Sequence, residues 1–346
     1  WYNHREGHWI IENDWPENIA NSKWQFRADG VLNNLIEEQS FLGIKVSSPQ
    51  DCGIESGEYC AIWLGAEMPG DQRIDDAKSV YFTSPVLSEK LDIVGAPNIQ
   101  LSISSDKPAA QIAVRLNHIH PDGASTRITY GVLNLAHRIG FDKTAPLVPG
   151  EVFDVNFSMD HIAYRVPAGH KIRVSISSSY WPLIWPSPEA ACLTLRAGSI
   201  DIPMRPSGNS DECHFHGPET DLPWQVEELR PASNSRKAIK DMKTGITTIE
   251  VIDDFGSVRD CHHGLVSGSI AREWWSIHPE DPLSAEAKTH WSTENRRGKW
   301  SVRTETFAKM TSDKENFFLE ARLEAYEGEK LVFEKEITDR VPRDNR

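Results

Sequence analysis

The stretch "HKIRVSIS", residues 170–177, decides the fold class that the sequence predicts. Apolar and polar side chains alternate along it without interruption. Successive side chains of a β-strand point to opposite faces, so this spacing is typical of a half-buried strand. We expect Ile172, Val174 and Ile176 to face a core. The alternating residues Lys171, Arg173 and Ser175 are expected to face out.

The same alternation recurs on the N-terminal side of this stretch. It runs through "NIQLSIS", "QIAVRLNHI" and "VFDVNFSM", residues 98–104, 111–119 and 152–159. Turn sequences such as "HPDG" and "VPAG" separate these segments, and the acidic pair Asp75–Asp76 is also interpreted as turn residues. Many half-buried strands joined by such turns predict an all-β fold, an antiparallel sandwich or jelly roll.

A second set of strands is predicted after a polar, Pro-rich stretch at 201–235, which suits a long loop or linker. Alternation returns in five segments: "TTIEVID" (247–253), "EWWSIH" (273–278), "KWSVRTETFAKM" (299–310), "NFFLEARLEAY" (316–326) and "KLVFEKEI" (330–337). "YEGEK", between the last two, predicts a hairpin. "DPLSAEAK", residues 281–288, is expected to form a short helical turn, and the charged tail at 338–346 is expected to fray.

Composition and charge disfavour several classes of partner. The 346 residues carry a net charge of −14, whereas nucleic acids and anionic membranes select basic surfaces. No apolar run approaches the roughly 20 residues of a membrane-spanning helix. Five scattered cysteines do not predict a disulfide framework and favour a reduced, cytoplasmic setting. A single Cys52–Cys60 bridge across a loop stays open.

His170 and the serines Ser177, Ser178 and Ser179 raise the question of a serine hydrolase. A nucleophile elbow needs G-x-S-x-G on a sharp strand-to-helix turn, where the hydroxyl stands clear of the sheet. "GIESG" and "GLVSG" have the wrong spacing, and strands do not alternate with helices in this sequence. The chain therefore shows no serine-hydrolase nucleophile of its own, and His170 is expected to be structural or solvent-facing.

Trp181 and Trp185, in "YWPLIWPSP", are the candidate substrate-binding or domain-interface residues. Tryptophans form aromatic platforms in carbohydrate and peptide grooves. They also bury large areas where domains meet, so packing at a domain interface is the favoured interpretation. No catalytic residue is assigned in this chain.

Two cysteine–histidine clusters, "CHFH" and "CHHG", are the candidates for a shared zinc site. They supply six potential ligands: Cys213, His214, His216, Cys261, His262 and His263. Zinc favours such ligands, but neither cluster has the C-x₂-C or H-x₃-H spacing that lets neighbours reach one ion. The sequence therefore assigns no metal and no cofactor, and zinc stays a hypothesis.

Several motifs follow one another between residues 9 and 188: "DQR", "FTSPVL", "GAP" with "ISSD", "HPDG", "GVLNLAHR", "PLVPGEVFDV" and "VPAGHKIRVSISSSYWPLIWPSP". In this order they resemble the C-terminal jelly roll of the Xaa-Pro dipeptidyl-peptidase and cocaine-esterase (CocE/NonD) family of serine hydrolases. "WSIHPEDPLSA" and "VPRD" extend the resemblance more weakly. Several ordered motifs over this length are more specific than any single motif.

The resemblance implies a division of the chain and a missing partner. In that family the Ser–Asp–His triad lies on an α/β-hydrolase domain that precedes the segment seen here, so no triad position is carried over. Residues 1–35 would be a lead-in from that N-terminal domain. Residues 36–235 would form a galactose-binding-like jelly-roll sandwich, and the alternation described above predicts a second set of antiparallel strands for residues 236–346.

The resemblance implies a non-catalytic C-terminal half that packs on the catalytic domain and shapes its substrate pocket or an oligomer interface. The parent would hydrolyse acyl esters or Xaa-Pro peptide bonds through an acyl-enzyme. Two alternatives stay open. An independent carbohydrate-binding module predicts an exposed aromatic platform, and a zinc-stabilised interaction domain predicts stoichiometric zinc.

Overall fold

The computed structural model describes residues 7–12, 20–34, 43–61, 65–205 and 214–344. The chain divides into two compact units. The first comprises Trp1–Tyr59, Met68–His216 and Asn345–Arg346, and the second comprises Cys60–Glu67 and Gly217–Asp344. Nearly all regular structure in both units is antiparallel β-sheet, which confirms the all-β prediction.

The first unit contains twelve of the described strands and two very short helices. In chain order its elements are β1 (Ala20–Phe26), β2 (Leu32–Asn33), β3 (Ile44–Val46), α1 (Arg73–Ala77), β4 (Val80–Thr83), β5 (Leu91–Gly95), β6 (Asn98–Ser105), β7 (Gln111–Ile119), β8 (Ser125–Asn134), a 3₁₀ turn (Leu135–His137), β9 (Val152–Ser158), β10 (Ile162–Val166), β11 (Lys171–Ser177) and β12 (Leu193–Met204). No helix in the described residues is long and apolar enough to cross a membrane.

These strands form two antiparallel sheets. The larger sheet is built around β12, whose Ile200 is in register with Trp24 of β1 on one side and Ile99 of β6 on the other. Strand β2 pairs with β1, β9 pairs with β6, and β3, β5 and β10 complete this sheet. The smaller sheet has the order β4-β11-β7-β8.

The hydrophobic core joins apolar residues of both sheets. Ile172, Val174 and Ile176 of β11 are at most 1% exposed, so this strand and its inward face are as predicted. Ile99 and Leu101 contribute from the larger sheet. Burying one aliphatic side chain of this size contributes about 1.5–3 kcal/mol.

The opposite face of β11 is covered rather than open to solvent, which corrects the expectation for the second set of alternating residues. Ser175 is fully buried, and its hydroxyl donates to the Asp76 carboxylate of α1. Arg173 is half-buried and donates to the same carboxylate. The segment that contains α1 therefore lies across this face of the smaller sheet.

The second unit is one antiparallel sheet made of eight described strands. They are β13 (Val226–Arg230), β14 (Ser233–Lys240), β15 (Thr247–Asp260), β16 (Val266–His278), β17 (Asp281–Arg297), β18 (Trp300–Ser312), β19 (Asn316–Glu327) and β20 (Lys330–Pro342). From β15 to β20 each strand pairs with the next along the chain, whereas β13 and β14 both pair with β15. The domain boundary expected at residue 235 falls inside β14.

Two expectations for the second unit are wrong and one is confirmed. Residues 281–288 belong to β17, because pairing with β16, joined by β18 from Ala287 onward, outweighs the helix preference of Ala and Glu. The tail does not fray before Pro342, since β20 pairs with β19 along its length. The hairpin at "YEGEK" is present, with Glu327 in register with Lys330.

Candidate functional site

A buried polar network lies between α1 and the smaller sheet of the first unit. Its centre is the carboxylate of Asp76, which is 2% exposed. This carboxylate accepts four hydrogen bonds from side chains of the sheet: Ser175 Oγ at 2.7 Å, Ser125 Oγ at 2.8 Å, Asn117 Nδ2 at 2.9 Å and Arg173 Nη1 at 3.0 Å. A buried carboxylate needs such partners because burying an unpaired charge is very costly.

Asp75 connects this network to the loop that precedes α1. Its carboxylate accepts the backbone N–H groups of Gly53 at 2.9 Å and Glu55 at 3.0 Å. It also lies 3.8 Å from Nη1 of the fully buried Arg115. The interpretation of Asp75–Asp76 as turn residues is therefore wrong, because both carboxylates point into the protein. With every oxygen already accepting, the pair is suited to holding the fold and not to proton transfer.

Cys52 lies beside the network as a buried free thiol. Its Sγ is 3.7 Å from Oγ of Ser79. Burial, and to a lesser extent the Asp75 carboxylate, raises the pKa of the Cys52 thiol to about 11. The thiol is therefore protonated and unreactive at neutral pH. Cys60 is an exposed free cysteine, so the Cys52–Cys60 bridge that the sequence left open is not formed.

His170 and the serines of β11 lie at opposite ends of one strand. Ser177 lies seven positions after His170, a distance of about 23 Å at the usual rise of a strand. Ser177 and Ser179 are buried, and the Ser179 hydroxyl donates to the Pro49 carbonyl at 2.7 Å. These residues cannot act on one another as a nucleophile and its base.

Trp181 and Trp185 contact each other, but only one of them reaches the surface. Trp181 is 1% exposed and Trp185 is half-buried, with the ring centroids 5.5 Å apart in an edge-on arrangement. The neighbouring Tyr180 is also buried, and its hydroxyl accepts a hydrogen bond from Arg127 Nη1 at 2.8 Å. The pair is therefore not an open platform. A role in binding substrate or in a domain interface stays a prediction for this pair. Of the two, Trp185 is the one that a partner could contact directly.

The six predicted zinc ligands are divided between the two units. Cys213 lies outside the described residues, and His214 and His216 belong to the first unit. The other three belong to the second unit, in the turn between β15 and β16: Cys261, His262 and His263. Their turn is ordered by Asp260, whose carboxylate accepts the backbone N–H groups of His262 and His263. A zinc site shared by these residues stays a prediction.

Three other histidines meet at one end of the first unit. His118 lies in β7, His120 follows that strand, and His170 precedes β11; their ring nitrogens lie within 4.8 Å of one another. His118 Nε2 is 2.7 Å from His170 Nδ1, and His118 Nδ1 is 2.9 Å from the hydroxyl of Tyr164. His120 Nε2 is 3.1 Å from Oγ1 of Thr126. This cluster was not predicted from the sequence.

The sequence does contain half of the signal for this cluster. In "NHIHPDG" two histidines are separated by one residue at the end of a strand, and such residues share a face. The third member comes from a strand 52 residues away, which only the pairing of β7 with β11 brings near. Of the residues considered from the sequence, His170 alone belongs to this group.

The comparisons with known proteins identify the family. A family model described as the X-Pro dipeptidyl-peptidase C-terminal non-catalytic domain matches residues 1–221. The chain belongs to this family. The match includes the sheets of the first unit, the network around Asp76 and the three histidines. It ends near the start of the second unit.

Two relatives of this X-Pro dipeptidyl-peptidase C-terminal domain are esterases by name. The cocaine esterase of Rhodococcus sp. (strain MB1 Bresler) is 24% identical over 189 residues, which is 50% of this chain and 32% of the relative. A Mycobacterium bovis protein named as a serine esterase is 27% identical over 234 residues, 58% of this chain and 36% of the relative. The chain therefore spans about a third of the length of these relatives.

A solved structure supports the fold. The aminopeptidase from a marine sediment archaeon, Thaumarchaeota archaeon, matches with a TM-score of 0.50 and 20% sequence identity. The match covers 57% of this chain and 38% of that protein. At this identity the likeness concerns the fold alone.

Proposed function

We propose that the chain is the non-catalytic C-terminal part of a serine hydrolase of the acyl-esterase or Xaa-Pro dipeptidyl-peptidase type, and that it packs on an α/β-hydrolase domain. The observation that carries this proposal is the match of residues 1–221 to a domain described as non-catalytic. The relatives are about three times longer than the matched part, and the named esterase activities belong to those whole proteins.

An exposed groove in the first unit, lined by apolar and polar residues in about equal measure, supports a packing role. It lies beside the 3₁₀ turn, has a volume of about 590 Å³ and includes Val132, Ile139 and Phe141. Ile139 and Phe141 are 72% and 83% exposed. Large apolar side chains that are exposed side by side mark interaction sites more often than ordinary surface. We propose that the catalytic domain covers this groove.

Covalent labelling tests the first half of the proposal. The chain is incubated with a fluorophosphonate probe and read by intact mass, with a p-nitrophenyl ester assay alongside and a known serine hydrolase as positive control. We expect no adduct and no turnover, because Ser177 and Ser179 are buried and His170 is far from them. A stoichiometric adduct on any serine of this chain would show an activated nucleophile and contradict the proposal.

The same experiment is extended to the longer protein to test the groove. There, Phe141→Asp is expected to weaken domain packing by about 2–4 kcal/mol, since it buries a carboxylate in an apolar contact. Ester turnover and resistance to limited proteolysis should fall together. Val86→Asp, a change at another exposed apolar residue of the same unit, is the matched control. Equal effects of both changes, or of neither, would argue against this groove as the contact.

The alternative as a carbohydrate-binding module loses its main support, because the buried ring of Trp181 cannot stack on a sugar.

We also propose that the parent protein works in the cytoplasm. The four described cysteines are free thiols, although their burial ranges from buried to exposed: Cys52, Cys60, Cys192 and Cys261. A reducing compartment keeps thiols in this state.

A further inference from the structure

We propose that His118, His120 and His170 bind one divalent transition-metal ion, with Zn²⁺ as the representative case. Their ring nitrogens already lie within 4.8 Å of one another. Imidazole nitrogen suits Zn²⁺, Cu²⁺ and Ni²⁺, and three histidines with a fourth position left for water is a known zinc arrangement. The cluster contains no carboxylate, which disfavours Ca²⁺ and Mg²⁺ because those ions require oxygen ligands.

The backbone brings the three histidines together before any ion arrives. Strands β7 and β11 are antiparallel neighbours, with His118 in register with Ile172. Continued by two residues, this register places His120 opposite His170. The carbonyl of His170 is fixed by the N–H of Leu87 at 2.8 Å. Ligands placed on neighbouring strands need little ordering to bind, which favours affinity.

The hydrogen bonds at the outer nitrogens indicate which atom of each ring faces the ion. His118 uses Nδ1 toward the Tyr164 hydroxyl, which leaves Nε2 for the metal. His120 Nε2 lies near Oγ1 of Thr126, so we assign Nδ1 of this ring to the ion. His170 faces His118 through Nδ1. Partners on the second ring nitrogen fix the tautomer and orientation of metal-binding histidines, and here two of the three rings have one.

Binding zinc requires a small shift of two of the rings and a rotation of the third, because the His120 ring is now stacked on that of His118 with the centroids 4.0 Å apart. Zn–N bonds of about 2.0–2.1 Å in a tetrahedron place the nitrogens about 3.3 Å apart. His118 Nε2 and His170 Nδ1, now at 2.7 Å, would separate by about 0.6 Å. The proton that these two nitrogens now share would move to the outer Nε2 of His170. His120 is half-buried and follows the end of β7, so its ring can turn toward the other two.

Metal binding to the full chain is the direct measurement. The protein is treated with chelator, exchanged into metal-free buffer and titrated with Zn²⁺ by calorimetry and with Co²⁺ by visible absorption. We expect one Zn²⁺ per chain at this cluster and the strong Co²⁺ absorption bands of a four-coordinate site with nitrogen ligands. Failure of the wild-type chain to bind either ion would overturn the proposal.

Variants locate the ion. His120→Ala and His170→Ala should each weaken Zn²⁺ binding at least about 100-fold. Losing a residue that only hydrogen-bonds to a metal ligand already lowers metal affinity by up to about 100-fold, and these changes remove a ligand itself. Tyr164→Phe keeps all three ligands and should weaken binding about 10–100-fold. His161→Ala, an exposed histidine of the same unit, is the matched control and should bind like wild type.

The remaining histidines decide between this site and adventitious binding. A chain with His262→Ala and His263→Ala should retain its Zn²⁺, since these residues lie in the second unit. Retention of Zn²⁺ by both His120→Ala and His170→Ala would assign the ion elsewhere and overturn the proposal. Should either alanine variant fail to fold, His120→Gln or His170→Gln at the same position, which keeps a polar side chain of similar length, replaces it in the same titration.

Discussion

The two units are built from the same kind of strand but bury their strands very differently. In the first unit, β7 is buried at every one of its residues, Gln111–Ile119. In the second unit, β20 is exposed at every one of its residues, Lys330–Pro342. Apolar alternation is present in both strands. The difference shows that alternation predicts a strand without telling how many of its faces are covered.

The cause is what lies on either side of each strand. One face of β7 meets the core through Ile112, Val114 and Leu116, and the other meets the segment of α1. Strand β20 is an edge strand that pairs only with β19 among the described strands. Its charged residues are typical of an edge protected from further pairing. A strand covered on both faces must satisfy every polar side chain that it carries, whereas an exposed strand leaves them to water.

The largest expected effect comes from breaking the network that covers the outer face of β7. Asp76→Ala removes the carboxylate that pairs with the half-buried Arg173 and leaves the fully buried Arg115 with Asp75 as its remaining carboxylate. Removing one side of a buried ion pair costs about 3–5 kcal/mol. We expect the free energy of unfolding of the first unit to fall by this amount, measured by hydrogen exchange of β7 and β11 peptides in increasing urea.

A matched change at the surface shows whether burial is the reason. Asp71 pairs with Arg73 at 2.6 Å, but Arg73 is largely exposed, so Asp71→Ala should cost less than about 1 kcal/mol. Peptides of the second unit should be unchanged in both variants. If Asp76→Ala cost no more than Asp71→Ala, the network would not be what holds α1 to the sheet.

The next effect compares one substitution in both units. Ile103 of β6 is 1% exposed, and Ile103→Ala should destabilise the first unit by about 2–5 kcal/mol through lost burial and the cavity left behind. Ile337 of β20 is 50% exposed, and Ile337→Ala should change the second unit by less than about 0.5 kcal/mol. Urea unfolding followed separately in each unit measures the two. Similar losses would mean that β20 is covered in solution.

The sequence predicted those strands and turns whose signals lie in residues adjacent along the chain. The alternation of "HKIRVSIS" indicates the strand and its inward face, and "YEGEK" indicates the hairpin of β19 and β20, because both signals are complete within a few residues. The ordered motifs between residues 9 and 188 were enough to identify the family. Residues 281–288 show the limit, since pairing with the neighbouring strand β16 outweighs the local helix preference.

What could not be predicted depends on strands that are distant in sequence. Asp75 and Asp76 look like turn residues until α1 is placed against β7 and β11. His170 looks like a single histidine at the start of a strand until the register of β11 on β7 brings it to His118. In both cases the chemistry lies in a pairing of segments about 40 to 100 residues apart, and no local pattern contains that information.

The smallest expected effect is a dependence on acid in the first unit. The Arg165 guanidinium donates to both oxygens of Asp92, at 2.5 and 3.0 Å, and with Lys90 it lowers the pKa of Asp92 to about 2. A carboxylate whose pKa is lower in the folded state stabilises the protein above its unfolded pKa, near 4. This stabilisation is then lost as the pH falls from about 4 to about 2. Because the pair is partly exposed and screened by solvent, we expect it to be worth about 1 kcal/mol.

Asp92→Asn should therefore lower the stability of the first unit at pH 6 and make no difference near pH 2, where wild-type Asp92 is itself becoming protonated. Urea midpoints of wild type and variant, measured in parallel from pH 6 to pH 2, should converge across this range. The pair joins β5 to β10 at the end of the larger sheet, so peptides of these two strands should report the change first. A difference that stayed constant with pH would assign the effect to packing of the side chain instead of its charge.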